Sequence, residues 1–265
     1  MAYQFKSFDG AALPLSMPED PLFTGNVEPG VMAAAGGAFD RYGARQILPQ
    51  KRQLRFRGRY DGSGSSTALQ TALDALRAKI GVRGLLVRAD QSATETQIYG
   101  RLLTVDGTWA VRDSSSAQLD LLFETGEATW RAKSASTATA NFDAASPSVA
   151  TVSIANNGTA PVYDPVIAIA CTGTTITTLN LAISGLVVDL DWATGSITSG
   201  NTLTIDCGAK TVKIGSSNEF DLFSLGGSHT ARDWMPLTVA THSLVVTANN
   251  GAQGSVTVTW YKRYF

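Results

Sequence analysis

Apolar and polar positions alternate along this chain in two distinct styles. In KRQLRFRGRY, residues 51–60, Leu54, Phe56 and Tyr60 alternate with Arg55, Arg57 and Arg59. That period of two predicts a strand with one face in a core and one face of guanidinium groups. Residues 67–80, TALQTALDALRAKI, change period: Leu69, Leu73, Leu76 and Ile80 recur at helical spacing, widened by Ala68, Ala72 and Ala75. The spacing predicts one amphipathic helix packed on a core. Thr67 with Gln70 offers a capping box, Asp74 with Arg77 an i,i+3 pair, and Gly81 a stop. Strands are then predicted at Gly84 to Ala89, Gln97 to Val105 and Ala117 to Glu124, giving an antiparallel β domain interrupted by a helix.

Beyond Val149 the pattern is strand after strand: VATVSIA, PVIAIAC, TTITTLNLAI, LVVDLDW, TLTIDC, KTVKIG, EFDLFSL, THSLVVTAN and SVTVTWYKRYF. Turn pairs separate them, among them Asn157-Gly158, Ser199-Gly200, Gly226-Gly227 and Asn250-Gly251. Such spacing predicts a β-sandwich or jelly roll. In the last strand Val256, Val258 and Trp260 share one face and Ser255, Thr257 and Thr259 the other, as a strand inside a sheet requires.

Between the halves runs AKSASTATANFDAASPS, residues 132–148, almost free of large apolar side chains. The expected organisation is therefore a β domain with one helix at 1–131, a linker at 132–148 and a β-sandwich at 149–265, a mainly β, two-domain protein. The 265 residues suit two domains. Residues 10–38, with Pro14, Pro18, Pro21, Gly25, Pro29 and Gly36-Gly37, lack periodicity and are expected to form an arm or interface loop.

Charge sharpens the division. Of 21 Lys and Arg, 16 lie up to Lys133 and 5 beyond, and the 22 acidic residues split 14 to 8, so the halves carry about +2 and −3. A total of −1 gives no electrostatic reason to expect sequence-specific nucleic-acid or membrane partners. The start, MAYQFKSFDG, lacks a signal-peptide core, and no apolar run reaches the ~20 residues of a membrane span. Folding in a cytoplasm is the expectation. Cys171 and Cys207 are expected as buried reduced thiols. Residues 41–60 concentrate seven basic side chains with no acid. A solvated strand face, an inter-subunit or lumen-facing surface, and nucleic acid are the three readings of that run.

Common catalytic signatures are missing. His229 and His242 are the only histidines, neither in a metal motif, and both are expected at exposed or edge positions. Asp189 with Asp191, or Asp206 with Glu219, are the carboxylate pairs that glycoside cleavage would need. Asp189 and Asp191 share one strand face, which makes a solvent side the simpler reading. The sequon at Asn157-Gly158-Thr159 reads as a turn. No enzyme activity, cofactor or metal is expected. Trp130 reads as a packing residue, while Trp192 or Trp234 would supply the stacking face of a carbohydrate-binding module, the alternative function.

The order of elements resembles a known family. Phe5, Phe8, Asp9 and Gly10, then LQTALDALRAKIG, then LDLLFETGEATWRA with Phe123 and Trp130, resemble the N-terminal domain of siphophage distal tail proteins. Here Gly126-Glu127-Ala128 replaces the Asp-Pro often found in that turn. VATVSIANNGTAPVYDPVIAIACTG, with Asn157, Gly158 and Pro165, is similar to the opening of the family's C-terminal sandwich. SGNTLTIDCGAKTVKIG matches a characteristic hairpin through Gly200, Leu203, Ile205, Asp206 and Val212, and Trp234 and Leu237 follow in place.

The resemblance implies a structural protein of the phage tail tip, made in the host cytoplasm and carried in the virion. Its N-terminal domain would form a hexameric ring that continues the tail tube, and its sandwich would dock the adsorption apparatus. The implied partners are five further copies of the chain, the tail tube protein, and tail hub, fibre or baseplate proteins, with the tape measure protein a further candidate. Within that picture Arg55, Arg57 and Arg59, with the 10–38 arm, are the candidate subunit contact, since a ring closes through complementary side surfaces.

Overall fold

A computed structural model describes residues 4–12, 19–24, 52–61, 65–89, 95–109, 116–126, 129–143, 145–183, 186–190, 196–219, 223–225 and 235–264. The chain divides after Lys133 into two compact units.

The first unit is built from β1 (Gln4–Phe8), β2 (Ala11–Ala12), β3 (Glu19–Thr24), β4 (Arg52–Asp61), α1 (Ser66–Arg77), β5 (Arg83–Ala89), β6 (Glu95–Trp109), β7 (Ser116–Thr125) and β8 (Trp130–Ala132). Its strands lie in the order β2-β1-β5-β6-β7-β4-β3, with β8 also on β6, and each pairing is antiparallel. Alternation decides which face is buried: Leu54 and Phe56 of β4 meet Leu119, Leu121 and Phe123 of β7 on the inner side. Phe123 sits at the centre, its ring 5.1 Å from Phe8 and 5.5 Å from Phe56. Burying one such side chain contributes roughly 1.5–3 kcal/mol.

Helix α1 lays Leu69, Leu73 and Leu76 into this core. It starts earlier than the Thr67–Gln70 box predicts. Ser65 is the N-cap, with extended backbone and a hydroxyl accepting from the Ala68 N–H at 3.3 Å. Thr67 lies inside the first turn, and Gln70 instead donates to Asp74 at 2.8 Å. The Asp74–Arg77 pair forms at 3.3 Å. Ile80 falls past the helix end in the turn leading to Gly81 and is 45% exposed, so the apolar stripe stops at Leu76. The 10–38 stretch is not all loop: Ala11–Ala12 and Glu19–Thr24 are strands, the latter paired to β4 through a register shift. Pairing with a neighbour supplies order that this Pro- and Gly-rich sequence lacks by itself.

The second unit begins within the segment expected as a linker. Its strands are β9 (Ser136–Asn141), β10 (Ser148–Ala155), β11 (Val166–Cys171), β12 (Leu179–Ile183), β13 (Leu186–Leu190), β14 (Thr202–Asp206), β15 (Thr211–Ile214), β16 (Ser217–Asn218), β17 (Phe223–Leu225), β18 (Thr241–Ala248) and β19 (Gly254–Trp260). They form two antiparallel sheets, β10-β18-β12-β13-β17 and β16-β15-β14-β11-β19-β9. One hydrophobic cluster joins them: Ile167, Ile169, Leu203, Ile205, Val256, Val258 and Trp260 from one sheet, Val152, Ile154, Leu181, Leu244 and Val246 from the other. This is a two-layer β-sandwich.

Residues 136–141 thus correct the linker expectation. They pair with β19 from Ser136↔Trp260 to Asn141↔Ser255, with Ala138 and Ala140 packed on the core and Thr139 hydrogen-bonded to Thr257 across the strands at 3.0 Å. Alternating Thr and Ala is a permissible edge strand because small inward residues suffice where only one side is paired. Strand β19 itself is paired on both sides, by β11 and β9. The predicted hairpin at residues 200–214 is present as β14 and β15, with the Asp206 carboxylate capping the Ala209 N–H at 2.8 Å in its turn.

Candidate assembly interface

Strand β4 carries the three arginines proposed from sequence. Its backbone pairs with β7 along its whole length, from Arg52↔Thr125 to Asp61↔Ser116. Leu54 and Phe56 point inward, so Arg55 lies on the opposite face. There its guanidinium grips Asp120 of the neighbouring strand, with Nε 2.8 Å from Oδ1 and 3.0 Å from Oδ2. The two side chains are 34% and 22% exposed, so the pair is partly screened and worth at most about 1 kcal/mol. The Arg55 charge is thereby offset within its own unit. Arg57 stands opposite Asp120 and Arg59 opposite Gln118 in the backbone register; their side chains lie outside the described residues.

The same sheet brings together residues that are distant in sequence. On its exposed face Arg83 of β5 stands directly opposite Arg101 of β6, and Leu85 opposite Tyr99. The Tyr99 ring has two guanidinium carbons over it, Arg83 at 5.4 Å and Arg131 of β8 at 4.8 Å. Sequence reading missed this group because its members come from three strands and no local pattern joins them. Inside the unit, Arg88 is only 3% exposed and stacks on Trp130 at 3.8 Å, which makes Trp130 a packing residue with a cationic neighbour.

The residues weighed for chemistry are dispersed. His242 is buried at 6% exposure, against the expectation of an exposed or edge histidine. Its Nε2 lies 3.0 Å from the Thr238 carbonyl, and because a carbonyl only accepts, Nε2 carries the proton. Strand pairing with β10 and this local bond account for the burial. Asp206 serves its turn, and Asp189 lies in β13 between Asn180 and Ser224. His229, Asp191, Trp192 and Trp234 lie outside the described residues. Among the described residues no group of three or more His, Cys, Asp and Glu is arranged to hold a metal ion, and no helix is long and apolar enough to cross a membrane. Both cysteines are free and buried, and burial pushes the Cys207 thiol up to about 12.

A cleft of about 400 Å³ opens on the sandwich, lined by Asn141, Phe142, Asp143, Thr172 and the 251–255 turn. Asp143 is committed to the loop, accepting from the Val149 N–H at 2.7 Å and the Ala145 N–H at 3.3 Å.

No family model matches the sequence, and no curated protein does. Among solved structures, SPP1 Dit, described as a paradigm of the hub adsorption apparatus in phages that infect Gram-positive bacteria, aligns over 100% of this chain and 99% of its own, with a TM-score of 0.56 and 12% identity. The chain has the fold of a phage distal tail protein. Chains of the phage P2 baseplate in its activated conformation align with TM-scores of 0.34 with calcium and 0.36 with strontium, at 8% and 9% identity. They span 80% and 98% of this chain, and 78% and 90% of their own length. At such identities the likeness is one of backbone architecture, and residue roles have to be argued from this chain's own side chains.

Proposed function

We propose that the protein is a non-enzymatic structural component of a phage tail tip: a distal tail protein whose first unit forms a hexameric ring continuing the tail tube and whose sandwich docks the adsorption apparatus. The observation that carries this reading is the match to the SPP1 Dit fold over 100% of this chain and 99% of that one. Tail tube, tail hub and fibre or baseplate proteins, and the tape measure protein, are the partners this role requires.

A ring of identical subunits needs a heterologous contact, one patch of each copy against a different patch of the next. Strand β4 is our candidate for one side of it, through Arg55, Arg57 and Arg59. Negative-stain images of the purified protein test the ring itself, with six-fold particles expected; monomers alone at high concentration overturn it. Replacing the three arginines with Glu is expected to leave monomers in light scattering. A retained hexamer removes β4 from the contact while leaving the ring reading intact.

A second reading, a carbohydrate-binding sandwich, rests on the cleft beside Phe142, whose lining includes Asn141, Thr172, Gln253 and Ser255. A glycan array without hits removes it.

A further inference from the structure

The exposed face of the first unit sets two like charges at opposed positions of its sheet. Arg83 and Arg101 stand directly opposite each other on β5 and β6, both exposed. Neither makes a hydrogen bond or ion pair among the described residues, and like charges at opposed positions of an antiparallel pair destabilise it. Glu124 stands opposite Arg101 on its other side and borders the group. Arg131 brings a third guanidinium to the same face, over the Tyr99 ring, which is itself 36% exposed.

Apolar surface adjoins this charge. The turn after α1 is tied to β6 by the Gly81 N–H, which donates to the Leu102 carbonyl at 2.8 Å, next to Arg101. That turn presents Ile80 and Val82, 45% and 37% exposed. A partly exposed tyrosine held between arginines, with flanking aliphatic groups, is the composition of a binding hot spot.

We propose that the Arg83, Tyr99, Arg101 and Arg131 face, with Ile80 and Val82, is a docking surface for an acidic segment of a second protein. Carboxylates of that segment pair with Arg83 and Arg101 and relieve their mutual repulsion, and its apolar groups cover Ile80 and Val82. Charge complementarity selects an anion. The aliphatic flank and a unit charge of only about +2 favour a protein over nucleic acid, which would draw on a longer basic track. The surface lies on the same outer face of the sheet as Arg55, with β7 between them, since Arg101 and Gln53 stand on either side of Glu124, so its test reads peptide binding and not the oligomeric state.

The test uses the full chain, a fluorescein-labelled oligoglutamate peptide and a single-stranded oligonucleotide of equal charge. Arg83→Gln with Arg101→Gln is expected to weaken peptide binding about tenfold. Lys213→Gln with Lys262→Gln, which removes the same charge from the sandwich, is expected to leave binding unchanged. Unchanged peptide binding in the arginine double variant, an equal loss in the lysine control, or tighter binding of the oligonucleotide than of the peptide would each overturn the proposal.

Discussion

Gly254 opens β19 at a place where only hydrogen fits. Its φ is +150°, and a Cβ added there would lie 1.9 Å from the Ala170 carbonyl oxygen, 2.9 Å from that carbonyl carbon and 3.2 Å from the Cys171 Cα. All three atoms are backbone of the paired strand β11, so no side chain can swing aside. Gly254→Ala must therefore open the end of the β11–β19 ladder, where the Thr172 N–H donates to the Gln253 carbonyl at 2.9 Å, and shift the β9 side of β19, where the Phe142 N–H donates to the Gly254 carbonyl at 3.1 Å. Two hydrogen bonds at about 1 kcal/mol each and backbone strain of about 1 kcal/mol sum to about 3 kcal/mol. For a unit of this size that lowers the melting temperature by about 10 °C. Gly200→Ala is the matched control: φ is +85°, nothing lies within 4 Å of its Cβ, and only the left-handed penalty of about 1 kcal/mol remains. Calorimetry of the full chain, following the transition of the sandwich, separates the two. If Gly254→Ala melts no lower than Gly200→Ala, the close strand approach is not what this glycine is for, and the reasoning fails.

Other substitutions probe the two cores and the interface strand. Phe123→Ala removes a fully buried ring packed on Phe8 and Phe56 and is expected to cost about 3–5 kcal/mol in denaturant unfolding, with a loss below 1 kcal/mol refuting its central place. A double-mutant cycle of Arg55→Ala and Asp120→Ala should give a coupling of about 0.5–1 kcal/mol, and zero coupling would show that the pair is ornamental. The Cys207 thiol, held at about 12 by burial, should resist aromatic disulfide reagents at pH 8 in the native state and react once the sandwich unfolds. In the unfolded chain it ionises near its ordinary value of 9.0, so between there and about 12 the unfolded state sheds a proton that the folded state keeps. Its contribution to stability is present below pH 9 and declines as pH rises through that window. Cys207→Ala should flatten this part of the urea-midpoint profile, and an identical slope in the variant would contradict the assignment.

The sequence determined the elements whose side chains announce their own faces. Leu69, Leu73 and Leu76 fixed one helix and Leu54 and Phe56 fixed β4; the Val and Ile alternation from Val149 onward fixed the sandwich, because periodic apolar positions leave a chain few ways to bury them. Order along the chain was likewise enough to suggest the distal tail fold, which the SPP1 Dit alignment then supported over the full length. Tertiary structure decided whatever depends on a distant partner. Residues 136–141 lack large apolar groups and are a strand only because β19 supplies the hydrogen bonds. His242 is buried because β10 lies beside it, and Arg55 is neutralised because the register brings Asp120 within reach. The face formed by Arg83, Tyr99, Arg101 and Arg131 exists only after three strands align, since opposition across a sheet is a property of register and leaves no trace in the spacing of residues along one strand.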